Sequence, residues 1–507
     1  MREIDPEFLA LPMRSLADAA LQRARDLGAE HADFRLERIR SQDIRMRDGQ
    51  LEGTHDGEDV GFSVRVVSGG SWGFAAAVDL STDEAVRVAE QAVDVAAVAR
   101  SMSAERVELA DEPTYPDVSW VSAYRIDPFT VPDGDKVALL ADYSGRVLAS
   151  EHVDHVTARL SQVIEGKFYA DTAGTVTTQQ RVRIHPELEA LAVDAGSGRF
   201  ETMRTLAPPA GRGWEYATGA DGLIDWTATL DELAELLAGK LAAPTVEPGT
   251  YDLVIDPTNL WLTIHESVGH ATELDRALGY EANYAGTSFA TPDLLGTLRY
   301  GTSVMHVTGD RTTPHGLSTI GYDDEGVESQ QWDLVRDGVL VGYQLDRRMA
   351  ALMAPTIGGG RSNGCAFADS AGHVPVQRMP NVSLQPAVDG PTTEELIARV
   401  DRGIYVVGDK SWSIDQQRYN FQFTGQRFFR IENGRIAGQL GDVAYQATTT
   451  EFWGALDAVG GPETYVLGGA FNCGKAQPGQ VAPVSHGAPS ALFRGIRILN
   501  TLQEAAA

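Results

Sequence analysis

Phe62-Ser-Val-Arg-Val-Val-Ser-Gly-Gly-Ser-Trp-Gly-Phe-Ala-Ala-Ala77, followed closely by Ser81-Thr-Asp-Glu84, is the stretch on which the fold turns. Phe62, Val64 and Val66 alternate with their neighbours up to Gly69-Gly70, and Trp72, Phe74 and Ala76 resume the alternation beyond the glycines. A period of two is that of a β-strand with one face buried, and a glycine pair between two such runs reads as a tight antiparallel turn. Ser81-Thr-Asp-Glu84 is a capping box, which opens an Ala/Val-rich helix through about Ala99. Such a helix is long enough to cover one face of the sheet. Upstream, Ile44 and Met46 run into Asp48-Gly49, and Ser15 to Leu27 carries apolar residues at helical spacing and stops at Gly28.

Farther along, the same recipe recurs. A helix is expected from about Lys136 to Ser150, alternating segments around Val156–Val163, 167–169, 176–184 and 188–193, and a helix from about Leu230 to Leu241. Ala243-Pro-Thr-Val-Glu-Pro-Gly249 then reads as a linker. Beyond it, hairpin dipeptides such as Asp337-Gly338 and Asn433-Gly434 sit among β-branched and aromatic residues, so the second half should be mainly β. One helix interrupts it, with Asp256 as cap, Pro257 at the first turn, and Leu260, Trp261 and Ile264 at apolar spacing into His265. The expected class is α+β. An N-terminal α/β half, 1–242, carries helices on antiparallel sheets, with a further division into 1–125 and 126–242 left open. A β-rich C-terminal half, 249–507, carries the helix that leads into His265.

Composition narrows the function. Lys and Arg number 42 against 71 Asp and Glu among 507 residues, a formal charge of −29. That balance excludes the basic footprint of a nucleic-acid binder and disfavours an anionic membrane surface. Most of the acidic excess is expected on a solvated face. Two cysteines, Cys365 and Cys473, cannot form a disulfide framework, and with no basic leader or long apolar run the expected location is cytoplasmic. Cys365, in Gly364-Cys-Ala-Phe, reads as a small buried hydrophobe.

The chemistry concentrates in His265-Glu266-Ser267-Val268-Gly269-His270, an H-E-x-x-x-H sequence in a chain of 11 histidines. Two neutral imidazoles, a carboxylate able to take a proton from water and a third ligand are what a catalytic zinc site requires. Ordinary zinc proteases use H-E-x-x-H, and the extra residue matters. At about 100° per residue, positions four apart lie about 40° apart round a helix and positions five apart about 140°. Both rings converge only if the turn is widened, as by a π-bulge, and Gly269 is where such a distortion costs least. Glu273, Asp275 and Cys473 are the candidates for a third ligand. Cys473 lies in Gly468-Gly-Ala-Phe-Asn-Cys-Gly-Lys475, where glycines let backbone approach a bound group. His486, in Val484-Ser-His-Gly487, is a candidate oxyanion contact, and Arg361, in Gly358-Gly-Gly-Arg-Ser-Asn-Gly364, a candidate grip on a substrate carboxylate. Lys475, beside Cys473, is a candidate of the same kind as Arg361.

His265-Glu-Ser-Val-Gly-His-Ala-Thr-Glu-Leu-Asp275, Ala285-Gly-Thr-Ser-Phe-Ala-Thr-Pro-Asp293 and the Cys473 loop together resemble the TldD/PmbA family of zinc proteases. Gly61-Phe-Ser-Val-Arg-Val-Val, Ser71-Trp-Gly-Phe74 and Pro483-Val-Ser-His-Gly-Ala-Pro-Ser-Ala-Leu-Phe-Arg494 extend the likeness over nearly the whole chain. Since the histidine motif is intact, the chain resembles the metal-bearing TldD type and not its sister type, TldE or PmbA. The resemblance implies that His265, His270 and Cys473 hold Zn2+ and that Glu266 is the general base. It also implies endopeptidase action on unfolded or small peptides, as in leader trimming or antitoxin degradation. The expected partner is a sister subunit lacking the motif, or a second copy of the chain. Ser267 stands where the family pattern usually has Ala, and Leu274 where it has a small residue. The alternative reading is a non-catalytic scaffold or binding subunit of a protease complex, against which the intact Glu266 argues.

Overall fold

Two long hairpins build the N-terminal half. In the computed structural model, which describes residues 3–506 apart from 104, 358, 359 and 478, the strands His31–Arg47 and Gln50–Ser68 pair with each other. His155–Asp171 and Val176–Val193 form the second hairpin, and it pairs with the first along His31–Arg47. Ser71–Ala77, Val118–Val121 and Phe200–Arg204 complete one seven-stranded sheet, so a single sheet serves the chain on both sides of residue 125.

Alternation sorts this sheet into two faces of opposite character. Phe34, Leu36, Phe62, Val64, Val66 and Phe168 lie under the helices Met13–Asp26 and Thr82–Arg100. Farther along the same face Ile44, Met46, Leu160, Ile184 and Leu188 lie under Asp133–Leu148 and Trp226–Leu241. Ser81 caps its helix as its sequence indicates, accepting from the Glu84 amide. The intervening residues Asp33, Arg35, Glu37, Arg65, Glu165, Lys167, Arg181 and Arg183 are charged, and they too are buried. Segments of the C-terminal half cover them. Arg65 bridges Asp33 (2.7 Å) and Glu325 (2.9 Å), and Lys167 bonds Asp324 (2.8 Å) and the Ala368 carbonyl (2.8 Å). Among the described residues the fully buried carboxylates are matched in number by buried cations, so the acidic excess lies on the more exposed residues.

The third strand is turned the other way, and its Trp72 and Phe74 belong to the charged face. Gly73 and Ala75 stand opposite Val66 and Val64 and turn toward the helices instead. The Trp72 ring packs beneath the Arg65 guanidinium, 4.4 Å away. Gly73 sits where the helix Thr82–Arg100 meets the sheet, and a Cβ there would lie 1.8 Å from the Ala92 carbonyl oxygen.

The C-terminal half is β-rich. Gly249–Ile255 runs parallel to Arg402–Ile414 and antiparallel to Ala491–Asn500. The latter pairs with Val443–Thr448, that with Asn420–Glu432, and Asn420–Glu432 returns to Arg402–Ile414, closing a five-stranded barrel. Asp256 ends the first of these strands and caps the helix Pro257–Ile264 by accepting from the Thr258 amide. Asn259 and Thr263 on this helix both bond the Tyr445 hydroxyl at 2.8 Å, which fixes the helix against the barrel. A separate hairpin, Val466–Lys475 with Gln480–Ala488, lies along the same helix. Among the described residues no helix is long and apolar enough to cross a membrane.

A methyl group at Gly73 must displace helix backbone, since no flexible side chain stands there to give way. Gly73→Ala should therefore cost about 3 kcal/mol or more, at the upper end of overpacking losses. The check is the denaturant midpoint of the variant, with Gly134→Ala, which meets open space, as the control expected to change little.

Candidate metal centre

At His265 the α-helix that begins at Pro257 widens into a π-helical turn, His265–Gly269, in which the His270 amide donates to the His265 carbonyl. The wider turn brings both imidazoles to one side, with ring centroids 4.7 Å apart. Widening also ends the regular ladder and frees carbonyls, three of which meet side-chain donors. Tyr300 bonds the Ser267 carbonyl, Thr272 that of Val268 (2.8 Å), and the Gln344 amide that of Gly269 (2.5 Å). Gly269 is small because Met379 and His486 crowd it, its notional Cβ being 3.1 Å from the Met379 sulfur. The Ser267 hydroxyl donates to the Thr263 carbonyl (2.5 Å) and accepts from the buried Trp453 indole (3.0 Å), so it satisfies a core tryptophan.

Cys473 arrives from the hairpin. Between Ala470 and Cys473 the register with the partner strand slips, a bulge that re-aims the residues that follow. The thiol ends 3.5 Å from Nε2 of His265 and 3.5 Å from Nε2 of His270, and the three donor atoms lie within 4.8 Å of one another. The hairpin glycines serve protein contacts. Gly468 lets Trp261 of the helix press on the strand, a Cβ there being 2.6 Å from its Cγ, whereas among the described residues nothing lies within 4 Å of one at Gly474.

The partners of the rings fix where their lone pairs point. The Val382 carbonyl can only accept, so His486 Nδ1 (2.9 Å) carries the hydrogen, and its neutral ring offers Nε2 as an acceptor. His265 Nδ1, 2.7 Å from that nitrogen, must then donate, which leaves the Nε2 lone pair of His265 facing the thiol. Glu273 does the same for His270, accepting from its Nδ1 at 2.9 Å. Burial, with the charges nearby, holds His265 and His270 neutral well below the ordinary histidine range, and burial lowers His486 to about 4. Burial also pushes the Cys473 thiol up to about 11, against the pull of Arg378, which donates to the Cys473 carbonyl at 2.6 Å.

Several expectations change here. Both nitrogens of His486 are engaged in orienting His265, and the residue is fully buried, so it has no donor left for an oxyanion. Arg361 does grip a carboxylate, but that of Glu112 (2.8 Å), and among the described residues none of its hydrogen bonds reaches the cluster; Gly358 and Gly359 beside it lie outside the described residues. Glu273 and Asp275 are turned to Lys475, whose buried ammonium meets Glu273 (3.2 Å), Asp275 (2.9 Å) and Glu281 (3.0 Å). Cys365 is fully buried, its thiol pushed up to about 12 by burial. Glu266 lies beside the cluster, 4% exposed, paired with Arg418, and burial raises its carboxyl above the ordinary range against that pairing. Arg418 and Arg378 carry no mark in the sequence. They come from strand ends and loops about 110 to 150 residues beyond the histidines, and only folding brings them there.

Residues 248–500 match the PmbA/TldA metallopeptidase C-terminal domain, and residues 32–96 match PmbA/TldA metallopeptidase domain 1. A metalloprotease of Methanothermobacter thermautotrophicus is 28% identical over 98% of this chain and 100% of its own. The zinc metalloprotease TldD homolog of Saccharolobus solfataricus is 22% identical over 94% of this chain and 98% of its own. The crystal structure of TldE from Thermococcus kodakarensis shares the fold, with a TM-score of 0.69 at 15% identity, over 95% of this chain and 99% of that one. The chain belongs to the TldD/PmbA metalloprotease family.

Proposed function

We propose that this chain is a zinc-dependent endopeptidase for unfolded or small peptides, with His265, His270 and Cys473 as the ligands and Glu266 as the general base. The observation that carries the reading is the spacing of the three donors. A tetrahedral ion with Zn–N of about 2.0–2.1 Å and Zn–S of about 2.3 Å sets nitrogen and sulfur about 3.5 Å apart, the distance from Cys473 Sγ to each histidine Nε2. The nitrogen and thiolate set suits zinc over a hard cation such as Mg2+ or Ca2+. Three protein ligands would leave one position open, as a catalytic site needs, and this supports the reading. Bound there, zinc would polarise the scissile carbonyl and acidify water.

The chain's own residues supply the remainder. Val382 through His486, and Glu273 directly, keep the ligand lone pairs aimed inward, so binding needs no ring to turn. Glu266 takes a proton from the attacking water and returns it to the leaving nitrogen. The natural substrate class, leader segments or a labile antitoxin, and a sister subunit or second copy as partner belong to the same proposal. Both rest on the family resemblance.

Purified protein should load about one zinc per chain, and the double variant His265→Ala/His270→Ala none, by metal analysis. Because both histidines are already neutral at pH 6 and the thiol is protonated, zinc uptake at that pH should release about one proton. Two ordinary histidines of pKa about 6.5 would raise the release to about 2.5. Calorimetry in buffers of differing ionisation heat separates the two. Cys473→Ala should abolish tight binding, while Glu273→Gln weakens it about 10–100-fold, as for other residues that orient a ligand.

Glu266→Gln should load zinc normally and lose at least about 10²-fold in kcat. The assay is cleavage of a reduced, unfolded protein against its native form, with and without a candidate sister chain. Turnover of the unfolded form alone is the expected result, and retained turnover by the zinc-loaded Gln variant would remove Glu266 from the role.

A further inference from the structure

Arg418 stands at the site with no task in the scheme above. It lies in the turn joining Arg402–Ile414 to Asn420–Glu432, and its φ of 63° is in the left-handed region, which costs a side-chain-bearing residue about 1–2 kcal/mol. The chain holds it there firmly. Asp415 accepts from the amides of Gln417 (3.1 Å), Tyr419 (2.8 Å) and Asn420 (3.0 Å), and the Arg418 amide returns to the Asp415 carbonyl (3.0 Å). Thr449 bonds the Arg418 carbonyl (2.7 Å), and the amides of Thr287 and Phe289 bond the carbonyls of Gln416 (3.1 Å) and Gln417 (3.0 Å). A strained residue fixed from three sides has its position over-determined, as is common where function needs it.

The side chain reaches Glu266, which it bonds through Nη1, while among the described residues its buried Nε has no hydrogen-bond partner. Three other donors around the cluster are closed off from a substrate. His486 is fully buried with both nitrogens used, Lys475 is held by three carboxylates, and Arg378 is 1% exposed. The Arg418 side chain keeps 16% exposure, and beside it Trp412, half exposed, also touches Glu266.

Building on the peptidase reading above, we propose that Arg418 is a second catalytic residue, the one whose guanidinium takes the negative charge that develops on the scissile carbonyl oxygen. In the addition step the water oxygen bonds to the carbonyl carbon, its proton passes to Glu266, and the C=O π pair moves onto oxygen. Glu266 thereby loses the charge that Arg418 neutralises in the resting chain, as the carbonyl oxygen gains one. A cation with an unused N–H needs only a small shift to follow it. On collapse the electron pair returns, the C–N bond breaks, and the proton on Glu266 goes to the leaving nitrogen, giving an acid and an amine. Arg418 thus binds the transition state better than the ground state, which is what accelerates the step.

The experiment uses the full zinc-loaded chain with Arg418→Ala and Arg418→Gln, and the peptide that the wild type cleaves fastest from an unfolded protein. Each variant should keep one zinc per chain and a KM within about threefold, and lose about 10²–10³-fold in kcat, the cost of removing one such donor. A second readout is binding of two inhibitors of that sequence. A phosphonamidate, which mimics the tetrahedral oxyanion, should bind about 10²-fold more weakly to the variants, and the analogue with methylene in place of the carbonyl should bind as to wild type. Wild-type kcat in either folded variant, or equal weakening of both inhibitors, overturns the role of Arg418. A zinc-loaded wild type that cleaves no peptide overturns instead the peptidase reading on which it rests. Should Arg418→Ala fail to fold, the Gln variant, which keeps a hydrogen bond to Glu266 without the charge, decides the role of Arg418 alone.

Discussion

A neutral imidazole presents a lone pair at one nitrogen only when the other nitrogen is committed as a donor, and much of the C-terminal half is arranged round that constraint. His265 commits to His486, His486 to the Val382 carbonyl, and His270 to Glu273. Each partner comes from a different element. Val382 lies on the short strand Asn381–Leu384, His486 on the hairpin, and Glu273 at the end of the widened helix. The hairpin can approach so closely because Gly468 lacks a Cβ where Trp261 presses on it, and the same Trp261 lies parallel to the His486 ring at 6.2 Å. The site is thus a packing result as much as a set of ligands.

The widened turn shows the same economy. Histidines five positions apart would point their rings apart on a regular helix, and the π-helical turn corrects this while releasing carbonyls from the ladder. An unmet buried carbonyl costs about 1–3 kcal/mol, and Tyr300, Thr272 and Gln344 each meet one. Ser267 and Trp453 belong to this repair, which gives the departure from the family pattern at position 267 a structural meaning.

The two halves meet through charge. A sheet whose second face carries Asp33, Arg35, Glu37, Arg65, Glu165, Lys167, Arg181 and Arg183 would ordinarily turn that face to water. Here the loops near Asp324 and Phe367 cover it, and the ions are retained as matched pairs. Desolvated charges contribute little net stability but penalise any arrangement that leaves one unpaired. The interface is therefore specific in register even where it is not strongly adhesive.

Features that are local and periodic were legible in the residues alone. Alternation and glycine turns marked antiparallel strands in the N-terminal half, Ser81 and Asp256 marked helix starts, and the spacing of His265 and His270 meant that the two rings converge only on a widened turn, because a regular helix of 3.6 residues per turn holds them apart. The family pattern added Cys473, more than 200 residues away. Period-two alternation cannot say which face another domain will cover, so the burial of the charged face, and the turn of Trp72 and Phe74 onto it, were settled only by tertiary packing. The same holds for His486 as an orienting residue, for Arg361 as a partner of Glu112, and for Arg418 at Glu266. A side chain's task depends on which partners fill its remaining valences, and those partners are set by contacts between segments far apart in the chain.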